Sequence, residues 1–244
     1  MKVAFLGATR GMGRSLARLM GARGERLFLI GRDEEQLSRS ASDLDIRGAG
    51  SVGTATCDLL DPLSFAPALE AADAALDGFD VMVVTAGAFA PQDELEADGD
   101  RTRELLTVNF VSTVILCEEA RRRLLARGGG TICVFSSVAG DRARKPVILY
   151  GASKAGLSHY LTGLDHKFRV LGLRTVLVKP GFVHTGMTEG LEPPPFAGDP
   201  DDVARTVLRA IDRGKPVVYA PAIWKIVMLA IRMLPRAVMR RIEF

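Results

Sequence analysis

The chain is poor in cysteine, has no long hydrophobic run, and shows no repeat or low-complexity linker. Each lack removes a class of protein. Cysteine occurs three times, as Cys57, Cys117 and Cys133. An odd count without metal-ligand spacing excludes a disulfide scaffold and gives no reason to expect a metal; the thiols read as buried in a reducing compartment. Met1-Lys2 runs straight into Val3-Ala4-Phe5-Leu6 and a glycine, without the apolar core and cleavage site of a secretion signal. The expected location is therefore cytoplasmic. A membrane-spanning helix needs ~20 uninterrupted apolar residues. The apolar stretch that begins at Ile223 is interrupted by Lys225 and Arg232, so it should not span. With no linker in the sequence, residues 1–244 are expected to form a single domain.

Positive charge is also scarce outside one end. The net charge is +3, but residues 222–244 hold Lys225, Arg232, Arg236, Arg240 and Arg241 against Glu243. The rest of the chain is near neutrality, so the balance gives no footprint for nucleic acid. In the tail, Lys225, Arg232, Arg236 and Arg240 recur on one helical face, with Ile226, Val227, Ile231, Leu234 and Val238 opposite. Pro235 should kink or split that helix. Two readings follow: an amphipathic helix lying on the anionic inner face of a membrane, or one packed on its own domain or on another subunit.

What the chain does have is alternation. The apolar runs Val3–Leu6, Leu27–Ile30, Val52–Cys57, Val81–Thr85, Thr131–Phe135, Thr175–Val178 and Val217–Tyr219 are separated by helix-period stretches. The latter include Arg14–Arg23, Glu34–Leu44, Arg101–Ala126 and Ala152–Leu171. Strands buried on both faces and separated by helices predict an α/β fold, a doubly wound, mostly parallel sheet of Rossmann type flanked by helices, with a helical tail. Residues 1–185 would be the cofactor-binding core. Residues 186–198, which contain Pro193-Pro194-Pro195 and no regular period, read as a substrate flap. Asp199-Pro200-Asp201-Asp202 has the cap, proline and acids of a helix start.

The turn after the first strand, Gly7-Ala8-Thr9-Arg10-Gly11-Met12-Gly13, has the glycines that let a backbone approach a pyrophosphate at a helix N-terminus. A dinucleotide is the expected cofactor. The second strand ends in Gly31-Arg32, without the acid that commonly binds a free ribose. Arg32 and Arg10 can flank one pocket and pair with a 2′-phosphate, which favours NADP(H) over NAD(H). Alternatively, Arg32 is only a solvated helix-start residue, and Asp33 caps the helix or competes for the ribose. Asp58 can accept from an adenine amino group or simply cap the turn toward Asp61-Pro62. Ala86-Gly87 is small enough for close passage along a ribose. Asn109 is out of place inside a helix, either for a polar task or as a satisfied buried amide.

Tyr150 and Lys154 are four residues apart, adjacent on one helical face, with Ser137 thirteen residues upstream at the end of the fifth strand. A phenol titrates near ~10; a neighbouring ammonium lowers that value and suits it to general acid catalysis. Ser137 can orient a carbonyl oxygen toward the same proton. Taken alone, the pair is equally an ordinary half-buried helix face.

Taken in order, the glycine turn, Asp58, Ala86-Gly87, Asn109, Ser137, Tyr150-x-x-x-Lys154 and Pro180-Gly181…Thr185 resemble the short-chain dehydrogenase/reductase family. That resemblance implies an NAD(P)-dependent oxidoreductase acting on a carbonyl substrate, assembled as a homodimer or homotetramer. It implies Tyr150 as proton donor, Ser137 holding the oxygen, Lys154 on the tyrosine and the ribose, and Asn109 on a relay water. It also places Gly7, Gly11 and Gly13 at the pyrophosphate and Thr185 on the carboxamide, with Thr9, Arg10, Met12, Pro180, Gly181 and Val183 among the other cofactor-binding residues. Leu6 and Val84-Thr85 depart from the family pattern, which leaves the rigidity of the cofactor loop open and does not touch the proton donor. A narrower resemblance, carried by Ser136–Gly140, Tyr150–Leu157, Pro180–Met187 and the tail, is to the decaprenylphosphoryl-2-keto-ribose reductases. It implies a keto-sugar carried on a polyprenyl phosphate. Ketoacyl or sphingoid-base ketones, and a regulator that only binds cofactor, are the alternatives.

Overall fold

The structure, a computed structural model, describes residues 1–242; Glu243 and Phe244, the end of the expected tail, lie outside the described residues. The chain begins with β1 (Lys2–Leu6), α1 (Gly11–Ala22), β2 (Arg26–Gly31), α2 (Glu34–Ile46) and β3 (Ser51–Thr56). It continues through α3 (Phe65–Leu76), β4 (Val81–Val84), α4 (Gln92–Ala97), α5 (Gly99–Leu106), α6 (Ser112–Ala126) and β5 (Gly130–Phe135). After α7 (Ile148–Phe168) come β6 (Leu173–Pro180), α8 (Pro200–Arg213), β7 (Val217–Ala220), α9 (Trp224–Met233) and α10 (Arg236–Met239).

All seven strands pair in parallel, in the order β3-β2-β1-β4-β5-β6-β7. Strand side chains alternate in direction, and the apolar residues sort into two layers accordingly. Val3, Phe5, Leu27, Leu29, Val83 and Val178 face α1, α2 and α8 through Leu16, Met20, Leu37, Val207 and Ile211. Ala4, Leu6, Ile30, Met82, Val134 and Leu177 face α3, α6 and α7 through Leu69, Leu116, Leu157 and Leu161. Cys57, Cys117 and Cys133 are free thiols inside these layers. Strand order reverses between β1 and β4, and at such a point the carboxyl ends of the strands part to leave a crevice.

Helix starts follow local chemistry. The Asp33 side chain accepts from Gln36 N at 3.0 Å to cap α2. The Asp199 side chain accepts from Asp201 N at 2.8 Å, with Pro200 in the first turn of α8. The single helix expected over Arg101–Ala126 is instead three pieces, with a π turn at Thr107–Val111 joining α5 to α6. Such widened turns leave no mark in the hydrophobic period. The tail splits at Pro235 as expected, but its inner face differs from expectation. Leu234 is extended and the helix restarts after Pro235, because the proline ring cannot continue it. Trp224 and Met228 are buried, and with Val227 and Ile231 they pack on Val138, Phe182 and Tyr219. Val227 and Ile231 therefore belong to the inner face, while Ile226, Leu229 and Met233 stay exposed.

Candidate active site

The crevice holds a groove of about 410 Å³. Gly7, Thr9, Arg10, Arg32, Asp58, Ala86 and Gly87 all line it, as the sequence led us to expect. Gly7 has φ +94°, and a Cβ there would lie 2.6 Å from Ala86 N. A Cβ on Gly13 would collide with the Gly7 carbonyl, so α1 can begin this close to β1 only with glycine at both places. Arg10 offers no side-chain cap, which leaves the first N–H groups of α1 to a ligand. The departure at Thr85 does not loosen the turn: its hydroxyl donates to the Gly7 carbonyl at 2.8 Å, tying the glycine turn to the end of β4. Arg10 and Arg32 are exposed on the groove wall with no ion pair among the described residues. Asp33 is engaged as a helix cap, and Asp58 accepts from Leu60 N at 2.9 Å while still facing the groove. A backbone cradle without side chains, an uncapped helix start and two flanking guanidiniums fit a nicotinamide dinucleotide.

Phe89 lines both this groove and a second, inner pocket of about 260 Å³ that holds Ser137 and Tyr150. Its ring meets Tyr150 edge-on, with centroids 5.3 Å apart. Ser137 caps the turn after β5, accepting from Ala139 N at 3.1 Å, and lines the same pocket as Tyr150. Tyr150 stands in the first turn of α7, which starts at Ile148 rather than at Ala152 as expected. Lys154, one turn on, is buried, with Nζ donating to the Phe135 carbonyl at 3.1 Å and lying 5.8 Å from the Tyr150 ring centroid. The expected lowering of the tyrosine pKa is not what this arrangement gives. Burial pushes Tyr150 up to about 12, with the Ser137 bond a smaller effect in the other direction. Burial brings Lys154 down to about 8. Desolvation disfavours the charged form of each group, and here it outweighs their mutual attraction.

Asn109 is completely buried in the π turn. Its amide accepts from Ala88 N at 2.7 Å and donates to the Ala88 carbonyl at 2.8 Å. This is the satisfied-amide alternative, with a positioning consequence: it clamps the strand end that carries Ala86-Gly87. Gly87 is held so tightly that a Cβ there would lie 3.1 Å from Asn109 Oδ1 and 3.3 Å from Lys154 Nζ. Asn109 and Lys154 therefore lie beneath the cavities, whereas Met12, Tyr150, Pro180, Gly181, Val183 and Thr185 line the inner pocket. A Cβ on Gly11 would touch the Thr185 methyl at 3.3 Å, so the segment after β6 arches over the glycine turn.

Residues 186–198 form no helix or strand and are fastened at their base. Val183 bridges to Gly198, and Gly198 N donates to Phe182 O at 2.8 Å. Met187, Thr188, Leu191 and Pro194 from this loop wall the inner pocket. Four contributors escaped the sequence reading: Phe89, Asp141, Arg144 and Trp224. Trp224 fills the space that glycine leaves at Gly181 and donates from Nε1 to the Phe196 carbonyl at 3.1 Å. Asp141, at the end of the Ser137 turn, is ion-paired with Lys179 and accepts from the Tyr219 hydroxyl at 2.7 Å. Its only sequence signal was that an acid follows Ser136–Gly140. Trp224 reaches the site through long-range folding that no local pattern announces, whereas Arg144 stands in the short irregular connection between Ser137 and Tyr150.

Comparison with known proteins agrees with this geometry. The short chain dehydrogenase pattern matches residues 2–195. An uncharacterized oxidoreductase of Mycobacterium tuberculosis is 33% identical, over 98% of this chain and 96% of its own. Carbonyl reductase family member 4 of Xenopus tropicalis is 30% identical, over 84% of this chain and 88% of its own. Among solved structures, a variant of the actinorhodin polyketide ketoreductase, determined with NADPH, superposes with a TM-score of 0.81 at 23% identity, covering 89% of this chain and 95% of that one. On the family match and the full-length relative, the chain belongs to the short-chain dehydrogenase/reductase family, and is an oxidoreductase of that family.

Proposed function

We propose that this protein is an NADP(H)-dependent reductase that turns a ketone into a secondary alcohol, with Tyr150 as the proton donor. The observation that carries the reading is the placement of Tyr150 and Ser137 together in a pocket continuous, through Phe89, with the dinucleotide groove. When bound, the nicotinamide supplies the hydride. On the protein side, Ser137 donates to the carbonyl oxygen and orients it toward the Tyr150 hydroxyl. That hydroxyl is protonated at neutral pH and can deliver its proton to the carbonyl oxygen as hydride arrives and negative charge builds there. Lys154, with a pKa near 8, is the neighbouring group able to return one. Asn109 and Thr85 act through position, holding the Gly87 strand end and the glycine turn.

The choice of NADP(H) over NAD(H) rests on Arg10 and Arg32 on the groove wall, with Asp33, the acid next to Arg32, engaged as the cap of α2. The inner pocket is walled by Val138, Val147, Phe182, Leu191, Pro194 and Trp224, which favours a substrate with an apolar portion, such as a keto-sugar carried on a polyprenyl phosphate. The carbonyl reductase among its relatives supports the reaction class. A homodimer or homotetramer is the proposed assembly. The exposed apolar stripe of α9, flanked by Lys225 and Arg232, is proposed to rest on an anionic membrane surface.

Tyr150→Phe tests the central claim. NADPH-dependent turnover should fall at least about a hundredfold, as for loss of a general acid, while NADPH affinity stays within about twofold. Undiminished turnover would mean the proton comes from another group. In the same assay, replacing Arg10 and Arg32 by alanine should weaken NADPH at least about tenfold and leave NADH nearly unchanged, the expected loss of two charge-assisted contacts. Equal weakening of both would remove the basis for the cofactor choice.

A further inference from the structure

Trp224, the chain's only tryptophan, opens α9 and stands where three parts of the inner pocket meet. It clusters with Val138 of the Ser137 turn. It fills the space over Gly181, just after β6, where a Cβ would collide with the indole. From the loop 186–198 it holds the Phe196 carbonyl, to which Nε1 donates at 3.1 Å. Phe196 is itself strained. Its φ is +71°, in the left-handed region. Ala197 N donates to the Pro194 carbonyl at 3.2 Å, so Phe196 takes the third place of a four-residue turn, where positive φ normally falls to glycine. A bulky residue keeps such a conformation only where its surroundings over-determine it. Phe196 is 58% exposed, so its own packing does not supply that hold. The indole bond supplies it from one side. From the other, Gly198 N donates to Phe182 O at 2.8 Å, and Gly198 lies so close to Pro221 that a Cβ would reach its ring at 2.8 Å. The far end of the loop is thus fastened to the start of the tail.

We infer that Trp224 is a positioning residue of the inner pocket: its indole N–H latches the loop 186–198 shut and so fixes the wall that Met187, Leu191 and Pro194 present to the substrate. The inference rests on the reductase reading for what enters that pocket. One neutral hydrogen bond shifts an open–closed equilibrium by about tenfold, and opening lets Phe196 leave its left-handed conformation. The two effects oppose each other, so the latch is poised to release. Opening admits the substrate, and reclosing sets Leu191 and Pro194 against it. The start of α9 is in this way a working part of the pocket.

The test is hydrogen exchange in the full chain, followed at the Ala197 and Gly198 amides of the loop and at Val176 and Val178 of β6. Wild type is compared with Trp224→Phe and with a chain whose sole tryptophan is replaced by benzothienylalanine, in which sulfur takes the place of the N–H and the ring keeps its shape. In the sulfur isostere the loop amides should exchange about tenfold faster, the equivalent of one lost hydrogen bond, while the β6 amides keep their wild-type rates. Trp224→Phe, which also lacks the donor, should speed the loop at least as much. Unchanged loop exchange in the isostere overturns the inference. Equal acceleration of loop and β6 in the isostere also overturns it, because the indole would then serve the fold as a whole. No turnover is read, so a failure here leaves the reductase reading to be judged separately by Tyr150→Phe.

Discussion

Tyr150 and Lys154 are driven in opposite directions by one cause, the removal of water from around both side chains. Lysine loses its proton more easily when buried, falling from 10.5 to about 8, and tyrosine holds its proton more firmly, rising from 10.0 to about 12. The sign for stability follows. Between pH 8 and 10.5 the unfolded chain keeps a proton on Lys154 that the folded chain has released, so this residue makes the fold more stable as pH rises through that window. Tyr150 does the reverse between 10 and 12, where the unfolded chain ionises first. For the cofactor-free protein we predict that the ε-carbon resonance of Lys154 titrates with a midpoint near 8. A midpoint above 10 would show that the amine is hydrated and that the strand-end carbonyl of Phe135 does not enclose it.

At the scale of elements, the turn from β1 into α1 depends on two glycines and one borrowed hydroxyl. Thr85 comes from the neighbouring strand end, and its bond to the Gly7 carbonyl is the fastening seen across the crevice. Thr85→Val keeps the shape and removes the donor, leaving a part-buried carbonyl without that partner. We predict a loss of ~1–3 kcal/mol in stability, read from the midpoint of denaturant unfolding, with Thr85→Ser restoring most of it. An unchanged midpoint in Thr85→Val would show that the glycines alone hold the turn. All seven apolar runs are strands; β1, β2, β4, β5 and β6 are legible because the sheet is covered on both their faces, whereas the edge strand β3 is half exposed and was marked by its β-branched residues. Tyr150, Ser137 and Lys154 were legible because helix spacing and strand ends put them there. The π turn at Asn109 was not, since an i→i+5 turn has no compositional mark. Which stripe of α9 faces inward was also hidden, because it depends on Val138, Phe182 and Tyr219, all distant in sequence.

At the scale of the whole molecule, the tail has two apolar faces, and one of them is uncovered. Ile226, Leu229 and Met233 are 66%, 59% and 78% exposed, which is a cost in water unless another surface meets them. No helix among the described residues is long and apolar enough to cross a membrane. Helix α9, lying flat with Lys225 and Arg232 toward anionic lipid, gains ~1 kcal/mol per cation near the surface. We predict that the protein sediments with vesicles containing phosphatidylglycerol, that it does not with neutral vesicles, and that Ile226→Ser/Leu229→Ser abolishes the difference. Equal recovery in both pellets would leave the stripe to contact between subunits.

The loop after β6 is closed at its base by Val183 and Gly198, and its interior residues touch the inner pocket without entering the sheet. Closure cost grows only slowly with loop length, so residues can be inserted or exchanged between those two anchors at little expense to the framework. On the proposed function, selectivity would be written on a replaceable cassette and the proton chemistry on α7 and the end of β5, so that natural variation could edit the first without touching the second.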